Sequence, residues 1–454
     1  MFKIKELEEF AVIERIEDEI SLNDLTIFMG DNSAGKSYLA TLIHSFIMSE
    51  GYWEYDLFKA ITSKFEDSEL LKNIKEAVKE VVDNSNSSKN ILLTDKEIDE
   101  LKEIIYFVVD YLLTKYLPNK LFGEKNLKHI TVELESLEKN LIKTIVLKSS
   151  QDFENITSFT MDILFDNKHN IKSEFQGDFP KDIVCDGTFH NIIVQLIQIS
   201  IKKSLSIKSI YLPASRTGYL QTYQILANKA IFKTYGDNED IRPLSDIIRV
   251  FIAQLNNFEP KTNENILTDF IEKEILNGQV KLSNEDAGIE FFVKDKKIEL
   301  NYLSSTISEL IPLVVFLKRG FIKKNSLLVI EEPEAHLSFK NQKRIAKLIA
   351  LLLKHQIKVL ITTHSDFLIY EINNLIIQNS INRIKKENVY ENTIDHKKVS
   401  LYNFLLQDNG KSIVKKVKIT NEGINNPYIF ENIYSTTQEK NRLLDEWDAL
   451  NADS

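Results

Sequence analysis

The sequence predicts an α/β fold in which helices flank a mostly parallel sheet, with an antiparallel β part at the N-terminus and a mixed, mainly helical insertion. Three stretches of the 454-residue chain support this prediction. Residues 307–361 follow the order helix, strand, helix, strand, which is typical of parallel sheets. Residues 2–29 alternate apolar and polar side chains and end in a short apolar run, which indicates two or three strands. Residues 51–120 repeat apolar side chains at spacings of three to five, which favours helices.

The same patterns divide the chain into segments. After the N-terminal strands, the predicted elements are a helix over 36–48, helices within 51–120, strands within 129–175, a helix over 188–204, a strand over 209–212, helical residues to about 276, a hairpin over 289–300, a helix over 307–318, a strand over 326–330, a helix over 338–354 and a strand over 358–361. We expect residues 1–50 and 206–375 to form the two parts of one domain. Residues 51–205 are then an insertion, and residues 376–454 a C-terminal α/β extension.

Composition narrows the class of protein. The chain is 43% hydrophobic and 27% charged, and it contains no apolar run of the roughly 18 to 20 residues that span a bilayer. The formal net charge is −10, so contact with nucleic acid would need a local basic patch. The first ten residues carry acids where a signal peptide needs an apolar segment. The single cysteine, Cys185, cannot form an intramolecular disulfide. We therefore expect a cytoplasmic protein with no membrane partner.

A glycine-bounded loop follows the last N-terminal strand. Its sequence, GDNSAGKS at residues 30–37, fits the pattern G-x-x-x-x-G-K-[ST] and stands between a predicted strand and a predicted helix. The glycines let the main-chain N–H groups face phosphates, and the helix adds the positive end of its dipole. Lys36 can reach the outer phosphates of ATP, and the Ser37 hydroxyl can bind Mg²⁺. The residues predicted to bind nucleotide here are Gly30, Asp31, Asn32, Ser33, Ala34, Gly35, Lys36, Ser37 and Tyr38.

Two carboxylates follow a second apolar run. Glu331 and Glu332 come directly after residues 327–330 (LLVI), at the C-terminal end of a strand that the pattern predicts to be buried on both faces. Ligands bind at this end of the strands in open α/β sheets. Glu331 is placed to hold Mg²⁺, directly or through water, and Glu332 to activate the attacking water as a general base. The alternative is that the acids simply end a strand at the solvent, and the phosphate loop argues against it.

A histidine ends the next strand of the pattern. Residues 360–365 read LITTHS, so His364 follows an apolar strand one strand after the acid pair. A neutral imidazole there can hydrogen-bond the γ-phosphate or the attacking water. A lone histidine is more often structural, but this position favours a catalytic role beside Lys36 and Glu332.

These three motifs together resemble the ABC-type ATPase heads of the SMC and OLD (overcoming lysogenization defect) families, over about residues 1–50 and 205–375. In these families EEPEAHL is a familiar form of the Walker B motif and D-loop, and TTHS is a familiar form of the switch-histidine loop. The resemblance implies that Glu331 is the metal-side acid, Glu332 the catalytic base and His364 the switch histidine. It also implies that Glu334, Ala335 and His336 form a D-loop that contacts a partner subunit.

Such heads also need a signature motif, which caps the ATP bound by the other subunit. Residues 302–310 (YLSSTISEL) lie where the resemblance requires this motif, although Thr306 stands where the family usually has glycine. Ser304 and Ser305 would offer their hydroxyls to a γ-phosphate across the interface. The alternative is an ordinary helix cap, because SSTISE also fits a capping box. The signature interpretation predicts a homodimer, or a higher homo-oligomer, with ATP between its heads.

Residues 209–218 (SIYLPASRTG) look like a strand and loop of defence-associated relatives of these ATPases. Arg216 could approach phosphates or tie parts of the head together, or it could be a surface arginine in a Pro/Gly turn. The glutamine of the Q-loop is open between Gln221 and Gln224.

Three hypotheses about function follow. In an OLD nuclease a TOPRIM domain with an Asp-x-Asp set follows the head, and residues 368–454 contain no Asp-x-Asp. The preferred hypothesis is therefore a Mg²⁺-dependent ATPase that controls a separate effector, a nuclease or toxin, in anti-phage defence. The second is an SMC-like or RecF-like DNA repair or recombination ATPase that binds DNA directly. The third is a nuclease whose active site the motifs do not reveal.

Overall fold

Strands and helices alternate along the computed structural model of this chain. The residues that the structure describes are 2–48, 55–84, 87–122, 127–151, 158–166, 169–176, 180–205, 207–223, 246–256, 266–283, 288–425, 435, 437–445 and 447.

The strands lie in both halves of the chain. They are β1 (Phe2–Phe10), β2 (Ile13–Ile16), β3 (Ile20–Ser21), β4 (Leu25–Gly30), β5 (Ser88–Leu92), β6 (His129–Leu134), β7 (Thr144–Gln151), β8 (Ser158–Phe165), β9 (His169–Gln176), β10 (Lys208–Leu212), β11 (Gln279–Leu282), β12 (Ile289–Val293), β13 (Lys296–Ile298), β14 (Ser326–Glu331), β15 (Lys358–Thr363), β16 (Val399–Leu406), β17 (Ser412–Thr420) and β18 (Gly423–Asn425).

The helices separate these strands. They are α1 (Lys36–Ile47), α2 (Tyr55–Lys64), α3 (Glu69–Asp83), α4 (Asp95–Tyr111), α5 (Leu117–Phe122), α6 (Leu137–Asn140), α7 (Lys181–Leu205), α8 (residues 216–223), α9 (Asp246–Leu255), α10 (Ile266–Phe270), α11 (Ser305–Lys318), α12 (Phe339–Lys354), α13 (Asp366–Lys385) and α14 (residues 437–445). Short π-helical segments cover Leu112–Tyr116 and Ile271–Leu276, and short 3-10 helices cover Leu300–Tyr302 and His396–Lys398.

The chain divides into two compact units. One, here called the insertion unit, comprises Met1–Leu7 and Ser45–Ile207. The other, here called the head unit, comprises Glu8–His44 and Lys208–Ser454. The predicted insertion, residues 51–205, lies within the insertion unit.

The head unit is built on one sheet with the strand order β10-β14-β15-β4-β16-β17-β2-β1-β3. Strands β10, β14, β15, β4 and β16 run parallel to one another. The pairs β16–β17 and β1–β2 are antiparallel. The predicted α/β fold, with a mostly parallel sheet and an antiparallel β part from the N-terminal strands, is confirmed.

The register of the central strands brings three strand ends to one edge of this sheet. Glu331 of β14 pairs with Thr362 of β15, and Thr362 pairs with Phe28 of β4. Every residue of β14 is buried, because helices cover both faces of a parallel sheet. That burial explains why these strands read as continuous apolar runs. Apolar side chains of α11, α12 and α13, such as Val314, Ile345 and Ile372, share one core with the strands.

Part of the segment predicted as a C-terminal extension belongs to this sheet. Val399–Leu406 runs parallel to Leu25–Gly30, with Val399 opposite Leu25 and Phe404 opposite Gly30. The strand that leads into the phosphate loop therefore has a neighbour on each side, β15 and β16.

The insertion unit combines helices with a separate antiparallel sheet of order β5-β7-β8-β9. Helix α3 buries one apolar face that includes Leu70, Ile74 and Val78, which are the residues that carried the helical periodicity. The mixed, mainly helical character predicted for this segment is confirmed. No helix among the described residues of the chain has the length and apolar character needed to cross a membrane.

Candidate nucleotide site

The phosphate loop joins β4 to α1 and has positive φ angles at three positions. These angles are 145° at Gly30, 64° at Ser33 and 94° at Gly35. A Cβ atom on Gly30 would lie 2.4 Å from the carbonyl oxygen of Phe404, and one on Gly35 would lie 2.7 Å from Cγ1 of Ile13. Both glycines are therefore required by backbone conformation and by close packing.

Side chains around the loop are exposed on one side and supported on the other. The exposed side chains are those of Asp31, Asn32, Ser33, Ser37 and Tyr38. The ring of Tyr38 packs edge-on against Phe10, with 6.3 Å between ring centroids. Buried Ser412 of β17 donates its hydroxyl hydrogen to the carbonyl oxygen of Ala34 at 2.7 Å. Sequence analysis missed Ser412, because no local pattern marks a support 378 residues away from the loop.

Lys36 is the first residue of α1, and its ammonium group lies against the loop. Nζ donates to the carbonyl oxygens of Gly30 at 2.8 Å and Asp31 at 2.6 Å. Burial lowers the pKa of Lys36 from its ordinary value, while nearby carboxylates, Glu332 first among them, act in the opposite direction. The structure thus holds a lysine side chain beside the amides that face phosphates in P-loop proteins.

Glu331 ends β14 and has one carboxylate oxygen that the protein leaves unpaired. Its Oε2 accepts a hydrogen bond from the N–H of Ala214 at 3.0 Å. Its Oε1 is buried and has no hydrogen-bond partner among the described residues. A buried, unsatisfied carboxylate oxygen is costly unless a ligand satisfies it. Proteins hold Mg²⁺ through one or two oxygen side chains together with substrate phosphates, so Glu331 and the exposed Ser37 hydroxyl fit this ion.

Glu332 and His364 lie close together at the strand ends. Nδ1 of His364 is 3.6 Å from Oε1 of Glu332 and 3.7 Å from Oε1 of Glu334. The main chain at Glu332 is left-handed, with φ 43°, and its N–H donates to the carbonyl oxygen of Thr362 at 2.9 Å. The side chains of Glu332 and His364 are 33% and 45% exposed. A carboxylate and an imidazole that both reach solvent can bind and deprotonate a water molecule.

Glu334 packs inside the head unit. Its residue is 4% exposed, and Oε1 accepts hydrogen bonds from the Thr363 hydroxyl at 2.5 Å and from the His364 N–H at 3.1 Å. The Glu334 carboxylate therefore binds the switch loop of its own chain. The exposed residue of the predicted D-loop is His336.

A second link joins the D-loop to the switch loop. Gln342 of α12 donates from Nε2 to the carbonyl oxygen of Leu337 at 3.1 Å and accepts a hydrogen bond from the Ser365 hydroxyl at 2.8 Å. Ser365 also caps α13, because its Oγ accepts from the N–H of Leu368 at 3.1 Å. The main chain next to His364 is thus held from two sides. The sequence carried no signal for Gln342 beyond its place on α12.

The predicted signature segment leads into α11 with its serines exposed. Ser304 is the N-cap residue of α11, its side chain makes no cap hydrogen bond, and both Ser304 and Ser305 are exposed. The Thr306 hydroxyl donates to the carbonyl oxygen of His336 at 2.9 Å. The capping-box interpretation is wrong, because Glu309, the acid it requires, is buried and binds elsewhere.

Arg216 lies directly behind the acid pair. Only 2% of this residue is exposed, so the interpretation as a surface arginine is wrong. Its guanidinium donates to the carbonyl oxygens of Pro213 at 2.9 Å, Glu331 at 2.7 Å, Glu332 at 3.3 Å and Glu309 at 2.9 Å. Burial lowers the pKa of Arg216, and the carboxylate of Glu309 opposes that effect. Sequence analysis named this residue, but the pattern could not show which groups it binds.

Polar side chains also join α1 to β10. The hydroxyls of Thr41 and Tyr211 are 2.8 Å apart, and Nδ1 of His44 is 2.8 Å from the hydroxyl of Ser209. Burial lowers the pKa of His44 to about 3, so its imidazole is neutral at physiological pH. Burial, with a contribution from Glu331, raises the pKa of Tyr211 well above its ordinary value, so the phenol remains a hydrogen-bond donor.

The Q-loop stays unassigned. Gln221 lies on α8 with its side chain exposed. Gln224 lies outside the described residues.

A parallel sheet with a phosphate loop, an acid pair and a histidine at one edge defines the class of P-loop ATPases. A family model described as the AAA ATPase domain matches residues 14–369, and the chain belongs to this family. The resemblance to ATPase heads stated from the motifs is thereby confirmed at the level of the family. No curated protein matches the chain.

Solved structures of SMC heads also match the chain, each at 12% identity. The SmcHead bound to the C-winged helix domain of ScpA has a TM-score of 0.36, with 91% of this chain and 97% of that chain covered. The SMC head domain from Thermotoga maritima has a TM-score of 0.31, with 92% and 99% covered. An Smc head domain with an extended coiled coil, bound to the C-terminal domain of ScpA derived from Pyrococcus furiosus, has a TM-score of 0.34, with 97% and 100% covered.

Proposed function

We propose that this chain hydrolyses ATP with Mg²⁺ as one head of a homodimer, and that its nucleotide state controls a separate effector protein. The observation that supports this most is the convergence of three motifs on one sheet edge. Glu331 ends β14 and Gly30 ends β4, and β15 lies between these two strands and is in register with both. Nδ1 of His364 lies 3.6 Å from Oε1 of Glu332. Ligands of open α/β sheets bind at the C-terminal ends of the strands, which supports one shared ligand for the three motifs.

Each group has a role in this proposal. The amides of residues 30–37 and the ammonium of Lys36 bind the phosphates. Mg²⁺, held by Ser37 and Glu331, neutralises charge on the phosphate oxygens when it is bound. Glu332 accepts a proton from the attacking water, and His364 orients that water or hydrogen-bonds the γ-phosphate.

The dimer is proposed from the surface of the signature segment. Ser304 and Ser305 are exposed at the N-terminus of α11, and Tyr302 beside them is 83% exposed. Hydroxyls and free N–H groups at a helix N-terminus suit an anionic phosphate. By the resemblance to ABC-type heads, we propose that the phosphate bound by a second copy lies there.

The effector is proposed from the resemblance to ATPase subunits of anti-phage defence systems, in which the partner is a nuclease or toxin. A DNA repair or recombination ATPase is the second candidate, and one observation favours it. The charged residues of α12 are all basic: Lys340, Lys343, Arg344, Lys347 and Lys354. A helix with this composition suits the phosphate backbone of DNA.

An ATPase assay on the purified chain with two variants tests the proposed activity. Lys36→Ala should lose nucleotide binding, because the cation beside the phosphates is removed. Glu332→Gln should bind ATP but hydrolyse it at least about 100-fold more slowly, because the general base is lost. Lys296→Ala, at an exposed lysine of β13, is the control and should behave as wild type. Normal hydrolysis by Glu332→Gln would show that the base is another residue.

The same assay separates the candidate biological roles. Stimulation of ATP hydrolysis by DNA, lost steeply as salt rises, would favour the DNA repair candidate. Activity that appears only when the product of the adjacent gene is added would favour the effector. Metal-dependent cleavage of DNA by the chain alone would favour a nuclease.

A further inference from the structure

Buried hydrogen bonds join the acid pair to the helix that begins at the signature segment. Arg216 donates to the carbonyl oxygens of Glu331 and Glu332 at 2.7 Å and 3.3 Å. The same guanidinium donates from Nε to the carbonyl oxygen of Glu309 at 2.9 Å, and Nε lies 3.0 Å from Oε2 of that residue. Arg216 therefore binds the end of β14 and the first turns of α11 at once.

Glu309 is held on its other side by the first turn of α8. Its Oε1 accepts hydrogen bonds from the N–H of Thr217 at 3.1 Å and from the Thr217 hydroxyl at 2.8 Å. Glu309 and Arg216 are 1% and 2% exposed. A charged pair without water to replace its hydrogen bonds tolerates little displacement. A displacement of α11 would therefore also displace the carbonyl oxygens that Arg216 holds.

The main chain that receives this movement is already in an unfavourable conformation. Glu332 has φ 43°, a left-handed angle that is unfavourable for a residue other than glycine. Its N–H is fixed to Thr362 and its carbonyl oxygen to Arg216. These two bonds set the direction in which the Glu332 carboxylate leaves the main chain.

We propose that the Arg216–Glu309 pair is a positioning element that couples the N-terminus of α11 to the general base, so that hydrolysis depends on the pair while binding of ATP does not. Building on the proposed function, this inference adds how the signature segment acts on the base. Neither side chain touches the nucleotide in this proposal. Both act through the main chain of Glu332.

A second buried ion pair on the same helix provides a matched control. Lys318, at the C-terminal end of α11, lies 2.8 Å from Oε1 of Glu272, and both side chains are 9% exposed. Lys318 also donates to the carbonyl oxygen of Val280 at 2.6 Å. Glu272→Gln and Glu309→Gln therefore make the same chemical change in two buried ion pairs that lie at opposite ends of α11.

The test compares kcat, the Kd for ATP and the unfolding midpoint of these two variants. Glu309→Gln should lower kcat about 10- to 100-fold, because a small displacement of a catalytic group has effects of this size. Its Kd for ATP should stay within about twofold of wild type, since residues 30–37 are unchanged. Both variants should lower the unfolding midpoint, by similar amounts. Glu272→Gln should leave kcat per folded molecule within about twofold of wild type. Equal kcat values for the two variants would overturn the proposal.

Two further variants keep the test decisive if Glu309→Gln does not fold. Thr217→Val removes one hydrogen bond to Glu309 and keeps the ion pair, so it should lower kcat about two- to fivefold with unchanged Kd. Arg216→Lys should lose most of kcat, because one ammonium cannot reach the carbonyl oxygens that the guanidinium fork spans. Wild-type kcat in the folded form of either variant would count against coupling. Absence of Lys36-dependent hydrolysis in the wild type would instead refute the proposed function itself.

Discussion

Gly30 illustrates how a single residue limits the geometry of the phosphate loop. Its φ of 145° lies outside the range of most side-chain-bearing residues, and a Cβ atom would approach the Phe404 carbonyl oxygen to 2.4 Å. Gly30→Ala should therefore lower the free energy of unfolding by about 1–3 kcal/mol and weaken nucleotide binding. Urea unfolding and titration with a fluorescent ATP analogue measure the two effects.

Gly218 is the control for this substitution. It lies on helix α8, and a Cβ atom there would have no neighbour within 4 Å. Gly218→Ala should leave stability unchanged or raise it by up to about 1 kcal/mol, because alanine restricts the unfolded chain. If Gly30→Ala unfolds at the same urea concentration as Gly218→Ala, the contact with Phe404 does not constrain the loop.

At the scale of residues, the sequence could indicate functional groups that belong to motifs of adjacent residues. The phosphate loop and the acid pair are local patterns, so the groups that face a ligand could be named in advance. The residues that hold those groups could not, because their partners are far away in sequence. Arg216 binds Glu332 across 116 positions, and Ser412 binds Ala34 across 378. Glu334 was named for the D-loop by resemblance, and only the structure shows that its buried carboxylate binds the switch loop.

Among the helices, α4 shows how a cap depends on one buried acid. Thr94 and Glu97 form a capping box at its N-terminus. Burial alone would raise the pKa of Glu97, but hydrogen bonds from Asn73 and from the Thr94 N–H and hydroxyl hold that pKa below its ordinary value. Because the folded pKa is lowered, the stabilisation is present above the unfolded pKa of about 4.3 and is lost as pH falls through the folded value.

Glu97→Gln should therefore lower the thermal unfolding midpoint at pH 7, and the gap from wild type should narrow as pH falls below about 4. Calorimetry at several pH values measures this gap. Glu103→Gln, an exposed position of the same helix, should give the wild-type midpoint at every pH. A gap for Glu97→Gln that stays constant with pH would contradict the proposed role of the carboxylate charge.

Two elements of the head unit were predicted with the right type and with shifted ends. The helix predicted from residue 307 begins at Ser305, because the serines before it form its first turn and cap. The strand predicted to end at residue 361 continues through Thr362 and Thr363, which are fully buried although polar. The apolar pattern shows which part of a strand is buried. The end of the strand depends on hydrogen bonds, which hydrophobicity does not reveal.

At the scale of the molecule, the order of strands depends on pairings between distant segments. The sequence predicts a parallel sheet from its last helices and strands, but β16 pairs with β4 across more than 370 positions, as Val399 lies opposite Leu25. Nothing in the local pattern of residues 399–406 distinguishes a strand of this sheet from a strand of a separate extension. Contact between distant segments therefore decides the boundary of the head unit.

The proposed function predicts the oligomeric state of the whole molecule, and this state can be measured directly. In the dimer proposed here, Ser305 approaches the γ-phosphate bound by the other copy. Ser305→Arg places a long side chain at that contact while the chain's own phosphate loop stays intact. In a Glu332→Gln background, where ATP is retained, Ser305→Arg should abolish the ATP-dependent dimer and keep the Kd for ATP within about twofold.

Sedimentation velocity with and without ATP measures this dimer, and Asn388→Arg is the control because it adds the same side chain at another exposed position of the head unit. The control should sediment as the parent does, as a dimer with ATP and a monomer without it. Dimers that persist in Ser305→Arg at the same ATP concentration would place the interface away from the N-terminus of α11. Ser304 and Ser305 were predicted to bind nucleotide only through this contact between subunits. That result would therefore also mean that they do not bind nucleotide.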